Sequence, residues 1–244
     1  VNRTRLSMHE DEELKNPLHI GTIESLCAAK LPAIVSRFRE HHPQVKLQIT
    51  VGTPEELIRM MEHDQLDIIY ILDATRWSES WVKAMEVAEP VVFVASPAFW
   101  AQKYAECEKN GTVKWRTKTV GQEEISVRQI TLDQILQEPF FLTEKNANYR
   151  QALDQHLASC RCCLSPVLEI SDTAFIIQML ERNCGLSFLP LFAVQKQIWE
   201  GTLAAVEVDD VEISMYRQIF YHKNKFRTRE MEQFITFASE EENH

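Results

Sequence analysis

Three junctions in this 244-residue chain place hydroxyls and carboxylates where a strand pattern gives way to a helical one. They are Gly21-Thr22-Ile23-Glu24-Ser25, Thr143-Glu144-Lys145-Asn146-Ala147-Asn148 and Ser171-Asp172-Thr173. The first turn of a helix carries unbonded N–H groups and a partial positive potential, so a small ligand with an anionic group can be held there. A hydroxyl such as that of Ser25 or Thr143 would orient it. Taken singly, each position reads first as an ordinary N-cap, because Ser, Thr and Asp are the usual caps. Three such junctions, spread over two halves of the chain, shift the balance toward a binding site.

Other chemistry finds little support. The six glycines form neither a GxGxxG nor a phosphate-cradling loop, and there is no HExxH or GxSxG. The cluster Cys160-Arg161-Cys162-Cys163 lacks a second CxxC or HxxxH pair to complete a tetrahedral site, and its nearest histidine is His156. Plain thiols at a helix end are expected, with oxidant sensitivity as the alternative, and neither a metal nor a cofactor. His41 and His42 read as exposed helix-end residues. No enzyme is expected.

Composition sets the frame. The chain is 45% apolar and 25% charged, with 26 basic against 36 acidic side chains and a net charge of -10. That acidity argues against the chain gripping nucleic acid by itself, since phosphate binding needs a basic face. The basic stretch Tyr221–Arg229 is short and is followed by Glu230 and Glu232. No apolar run approaches the ~20 residues of a membrane-spanning helix, so no membrane association is expected.

The elements that must position these residues follow from periodicity. Residues 1–16 are polar and read as a frayed leader or the end of a connector. Leu18–Ile23, Val45–Val51 and Leu66–Leu72 are strand patterns, separated by helical patterns after Ser25 and after Thr53-Pro54-Glu55-Glu56. Strands alternating with helices imply a parallel sheet. Lys83–Val94 reads as one long strand, 98–109 as a helix, and the charged stretch 111–129 as an exposed hairpin. The alternation then resumes: Pro139–Thr143, Val167–Ile170 and Leu186–Leu189 are strands, with helices over 148–159 and 173–183. Leu203–Val208 and Ser214–Tyr221 are strands, and 227–240 is the last helix. The fold class is α/β, in two Rossmann-like units.

The stretch from Leu18 to Leu57, with its Leu31-Pro32, Phe38, Pro43-Gln44-Val45-Lys46-Leu47 and Gly52, closely resembles the start of the effector-binding domain of LysR-type transcriptional regulators. Leu66-Asp67-Ile68-Ile69, Pro139-Phe140-Phe141 and Met179–Pro190 fit the same family pattern, so the resemblance covers roughly 17–240. It implies a fold like the type 2 periplasmic binding proteins, with two subdomains joined by two crossovers near 94–97 and 206–212. Subdomain I would hold 17–95 plus 210–240, and subdomain II 96–209, with an extra hairpin about 110–130. Residues 1–16 would be the end of a linker to a missing DNA-binding domain.

The resemblance further implies a cytoplasmic sensor of transcription regulation that binds a small effector between its lobes. It would pair as a homodimer or homotetramer and reach DNA through an absent N-terminal helix-turn-helix. The expected effector contacts are Ile23, Glu24 and Ser25, then Leu72 and Asp73 at the end of the third strand, then Thr143, Glu144, Asp172 and Thr173. Helix dipoles favour an anionic effector; Glu24 and Glu144 oppose it, and an amine is the counter-reading. The rival function is an exported solute-binding protein that serves a transporter with the same fold.

Overall fold

Alternating and apolar runs form strands, and the stripes between them helices, in the computed structural model, which describes residues 14–112, 114–120, 123–206, 208–209, 211 and 213–241. In chain order these are β1 (Leu18–Thr22), α1 (Glu24–Ala29), α2 (Leu31–His41), β2 (Leu47–Val51), α3 (Pro54–Glu62), β3 (Ile68–Asp73), β4 (Trp81–Glu89) and β5 (Val91–Ala95). There follow α4 (Pro97–Lys109), β6 (Lys114–Val120), β7 (Glu123–Thr131), α5 (Leu132–Ile135), β8 (Phe141–Leu142), α6 (Asn148–Ser159), β9 (Leu168–Glu169) and α7 (Thr173–Glu181). The last are β10 (Leu186–Pro190), α8 (Leu191–Trp199), β11 (Ala204–Val206), β12 (Val208–Asp209), β13 (Met215–His222) and α9 (Arg229–Glu240).

The described residues divide into two compact units. Unit 1 draws on 14–71, 76–86 and 217–241, and unit 2 on 72–75 and the described part of 87–216. Unit 1 is built on a sheet of order β2-β1-β3-β13-β4. β1 pairs in parallel with both β2 and β3, so the helices between them must carry the chain back to the opposite end of the sheet. Fully buried Leu18, Ile20, Ile34, Leu57, Ile68 and Ile69 fill this layer. α2 packs on α9 through Phe38, whose ring lies 6.1 Å from Phe234 and 6.0 Å from Phe237. Gly21 lets the α3 side of the layer close in: a Cβ there would stand 2.5 Å from Leu66 Cδ1 and 2.9 Å from Leu57 Cδ2, so both leucines would have to shift.

Unit 2 holds three smaller sheets, ordered β10-β5-β11, β12-β7-β6 and β8-β9. β5 runs antiparallel to β10 and β11, β8 pairs in parallel with β9, and a parallel bridge from Phe140 to Leu186 places β8 beside β10. Phe93 binds the core by ring contacts to Phe140 and Phe188. β6 and β7 pair antiparallel from Lys114–Gln129 to Val120–Glu123.

One strand reading needs correction. The apolar pattern over Lys83–Val94 is two strands in different sheets, because Pro90 has no N–H to give to a ladder. Val91–Ala95, grouped by sequence with the first subdomain, pairs inside unit 2. Glu89 is buried beside this break and accepts the Phe192 N–H at 3.0 Å, supplying α8 with a carboxylate at its N-terminus.

The helix ends are closed by their own sequence. Thr53 and Glu56 form a reciprocal capping box on α3, as the Thr-Pro-Glu-Glu run predicts. α3, α4, α6, α7 and α8 end in paired backward hydrogen bonds around a residue with positive φ: Asp64, Gly111, Arg161, Asn183 and Gly201. Among the described residues no helix is long and apolar enough to cross a membrane.

Residues 1–13 of the expected connector lie outside the described residues, but 14–16 are tied down rather than frayed. Leu14 is buried, and the N–H groups of Lys15 and Asn16 and the Asn16 side-chain amide donate to Glu230 Oε1 at 3.1–3.2 Å. Burial alone would raise the Glu230 carboxyl, but its own N–H, that of Asn16, the Thr228 hydroxyl and the Asn16 amide together hold it below its ordinary 4.5. Its stabilising contribution is therefore complete above 4.5 and is lost as pH falls through the depressed folded value. Glu230→Gln is expected to cost about 1.5–3 kcal/mol at neutral pH, the range for a hydrogen bond to a charged group. Urea unfolding at several pH values checks this, and the gap to the unsubstituted chain should narrow below 4.5.

Candidate functional site

The connection from β8 to α6 holds two neighbouring polar groups that the fold leaves unused. β8 ends at Leu142, so Thr143 lies just past the carboxyl end of a parallel strand, where open α/β sheets bind ligands. Thr143 is 4% exposed and Asn148, the first residue of α6, is 8% exposed. Among the described residues neither Thr143 Oγ1 nor Asn148 Oδ1 has a hydrogen-bond partner. A buried hydroxyl or amide oxygen without a partner costs about 1–3 kcal/mol, which makes this adjacent pair a feature of unit 2 that a ligand would relieve; Ser187 Oγ and Gln197 Oε1 are likewise buried without a partner among the described residues. The cap position of α6 is Ala147, which has no side-chain group to occupy the helix's free N–H groups.

Arg150 holds this corner in place. It is 2% exposed, and its Nη1 donates to the Thr143 carbonyl at 3.1 Å while its Nε bonds both Asp154 oxygens at 3.0 Å. Glu169 at the end of β9 lies 3.8 Å from Nη2. The guanidinium is thus committed to structure and fixes the Thr143 backbone. At the end of β3, the Leu72 carbonyl accepts from Asn148 Nδ2 at 3.4 Å, and Asp73 Oδ1 accepts the Ala74 N–H at 2.8 Å. Leu72, Asp73, Thr143 and Asn148 all belong to unit 2, with Leu72 and Asp73 buried.

The remaining candidates divide. Glu144 is exposed, and its carbonyl receives the Ala147 N–H. Asp172 is exposed and is the cap of α7, accepting from the Phe175 N–H at 2.9 Å; it brings its own anion to that helix end. Thr173 is buried in the first turn of α7. In unit 1 the helix begins two residues earlier than the Ser25 reading requires: Ile23 is the cap of α1, makes no side-chain cap bond, and is buried. Ser25 sits inside the first turn at 4% exposure beside half-buried Glu24. The Cys27 thiol on the same helix is pushed up by burial and then by the Glu24 carboxylate. Thr22 is buried with its hydroxyl donated to the Tyr70 carbonyl at 2.9 Å.

In the sequence Asn148 reads only as a helix start, and Arg150 does not stand out. The available signal was the Arg150–Asp154 spacing of four, the spacing of an ion pair along one helix face. Unit 1 also carries an open depression of about 420 Å³ between β2 and α3, lined by Gly52, Glu56, Arg59 and His63 among others. Two cations of the basic stretch before α9 are paired locally: Lys225 with Asp64 and Asp67, and Arg227 with Glu232. Among the described residues no three His, Cys, Asp or Glu side chains are arranged to hold a metal.

The family described as the LysR substrate binding domain matches residues 11–108 and 123–243. The unmatched 109–122 cover β6 and its approach. The uncharacterised HTH-type transcriptional regulator YwqM of Bacillus subtilis (strain 168) is 23% identical over 238 residues, covering 96% of this chain and 72% of its own length. The uncharacterised HTH-type transcriptional regulator YeiE of Escherichia coli (strain K12) is 21% identical over 208 residues, covering 85% of this chain and 62% of YeiE. The chain thus spans about two thirds of these regulators. Among solved structures, the effector-binding domain of QuiR in complex with shikimate superposes with a TM-score of 0.65 at 12% identity, covering 95% of this chain and 99% of QuiR's.

Arg150→Met is expected to destabilise the chain by about 1–3 kcal/mol, because the buried Thr143 carbonyl loses its donor. Chemical denaturation measures this, and Asp154→Asn, which leaves that donor in place, should cost less.

Proposed function

This chain belongs to the LysR substrate-binding domain family, and on that premise we propose that it is the effector-sensing part of a DNA-binding transcription regulator. The observation that carries the proposal is the pair of buried, unpartnered atoms Thr143 Oγ1 and Asn148 Oδ1 beside the uncapped start of α6. A small molecule there would find a hydroxyl that both donates and accepts, an amide acceptor and free helix N–H groups. The helix end favours an anionic group on the effector. The QuiR domain, solved with shikimate, supports a small organic ligand for this fold. Leu72 and Asp73 would form part of the same surface, Thr173 less directly, and Ser25, with Ile23 and Glu24, is proposed as the contact set of unit 1.

Regulation would follow from population shift. An effector alters the protein only through unequal affinity for two arrangements, and reversing a 99:1 population requires ~5.5 kcal/mol of such difference. The edge strand β2, with exposed Ile49 and Val51, supports self-association into a dimer or tetramer. DNA contact is assigned to an additional helix-turn-helix and the setting to the cytoplasm, as suits a transcription regulator. Both relatives named above are HTH-type regulators, which favours this reading over a transporter's solute carrier.

Isothermal titration with a panel of small carboxylates, phosphates, amines and polyols tests the proposal. For the compound that binds, Thr143→Ala is expected to weaken affinity about tenfold, or 1.4 kcal/mol. Thermal melting should barely change, because the hydroxyl has no hydrogen-bond partner among the described residues. Equal affinity in the variant, or binding confined to cations, would contradict the site or its anion preference respectively.

A further inference from the structure

The sensing function leaves one cluster of reactive side chains unused. Three cysteines crowd the turn after α6: Cys160 and Cys163 are exposed and Cys162 is half-buried. The helix closes through Arg161 N–H to the Ala158 carbonyl at 3.0 Å and Cys162 N–H to the Leu157 carbonyl at 2.8 Å, with Arg161 in the left-handed region at φ 57°. This closure turns Cys162 back along the helix, where its thiol meets the Cys160 carbonyl at 3.6 Å. The two exposed thiols are then the first and last of the four-residue run. Cys160 Sγ has two polar neighbours, His156 Nε2 at 3.9 Å and Ser159 Oγ at 3.8 Å.

An imidazole one helical turn before an exposed thiol can take its proton, and the thiolate is the reactive form. A second exposed thiol three residues on supplies a resolving partner. We infer that this turn is a hydroperoxide-reactive site, in which Cys160 attacks the peroxide and Cys163 resolves the product to a disulfide. In the first step the Cys160 sulfur attacks one peroxide oxygen and the O–O bond breaks. The alcohol, or water from hydrogen peroxide, leaves with the proton taken up by His156, and Cys160 becomes a sulfenic acid. In the second step Cys163 sulfur attacks Cys160 Sγ, the S–O bond breaks, the S–S bond forms, and water leaves with the Cys163 proton. Two thiols lose two electrons, and one peroxide gains them.

Trypsin makes the pairing readable, since it cuts after Arg150, Arg161 and Arg182 and so separates Cys160 from Cys162 and Cys163. The 244-residue chain, treated with hydrogen peroxide and digested without reductant, should yield peptides 151–161 and 162–182 joined and lighter by two hydrogens. Cys162→Ser should retain the link, while Cys160→Ser and Cys163→Ser should lose it. Cys163→Ser should instead trap a dimedone adduct on Cys160. His156→Gln should slow the appearance of the link about tenfold or more, with the circular dichroism spectrum unchanged. No joined peptides in the unsubstituted chain, a link that survives Cys163→Ser, or an unchanged rate in His156→Gln would overturn the inference.

Discussion

Parallel strand pairing is the constraint from which the candidate site follows. Two parallel neighbours cannot be joined by a tight turn, so the chain must leave one strand at its carboxyl end and return through a crossover. In unit 1 this applies to β1, β2 and β3, and in unit 2 to β8 and β9. Every such exit puts a short polar connection and a helix start at the same edge of the sheet. Ile23–Ser25, Gly52-Thr53 and Thr143–Asn148 occupy those exits. Their polar character results from the topology before any ligand is considered.

What separates the exits is how each treats its free N–H groups. At α3 the Thr53–Glu56 box closes them, and at α7 the Asp172 carboxylate does so. At α1 and α6 no side chain caps the helix, and only beside α6 do side-chain oxygens, on Thr143 and Asn148, lie buried with no partner among the described residues. Arg150 could have satisfied them but is turned onto the Thr143 carbonyl, Asp154 and Glu169 instead. The corner is rigid and unsatisfied together, the combination expected of a preorganised binding surface.

Much of this was legible in the sequence because local rules and tertiary packing agreed. The alternation of Val45–Val51, the Thr53-Pro54-Glu55-Glu56 helix start and the strand-helix succession from β1 to β3 are local signals, and the family pattern rests on the same residues. The family resemblance is matched by the LysR substrate binding domain over both segments of the chain. The failures lie where long-range partners decide. Over Lys83–Val94 the strand pattern continues on both sides of Pro90, so periodicity alone does not show that this proline divides it between two sheets. Ser25 has the residue type of a cap, but the chain enters α1 at Ile23. Arg150 looks like a solvated helical arginine until β8 and β9 bury it. Residues 14–16 look unstructured because their anchor, Glu230, lies more than two hundred positions away.

The central claim is that the β8–α6 corner recognises a diffusible molecule. Its most direct measurement is a heteronuclear NMR titration of the isotope-labelled chain with a binding compound, following the Asn148 side-chain amide and the backbone amides at 143–150. The account predicts that these resonances move first and furthest, saturating with the calorimetric affinity. Shifts confined to the β2–α3 depression around Arg59 and His63, with 143–150 unmoved, would contradict it.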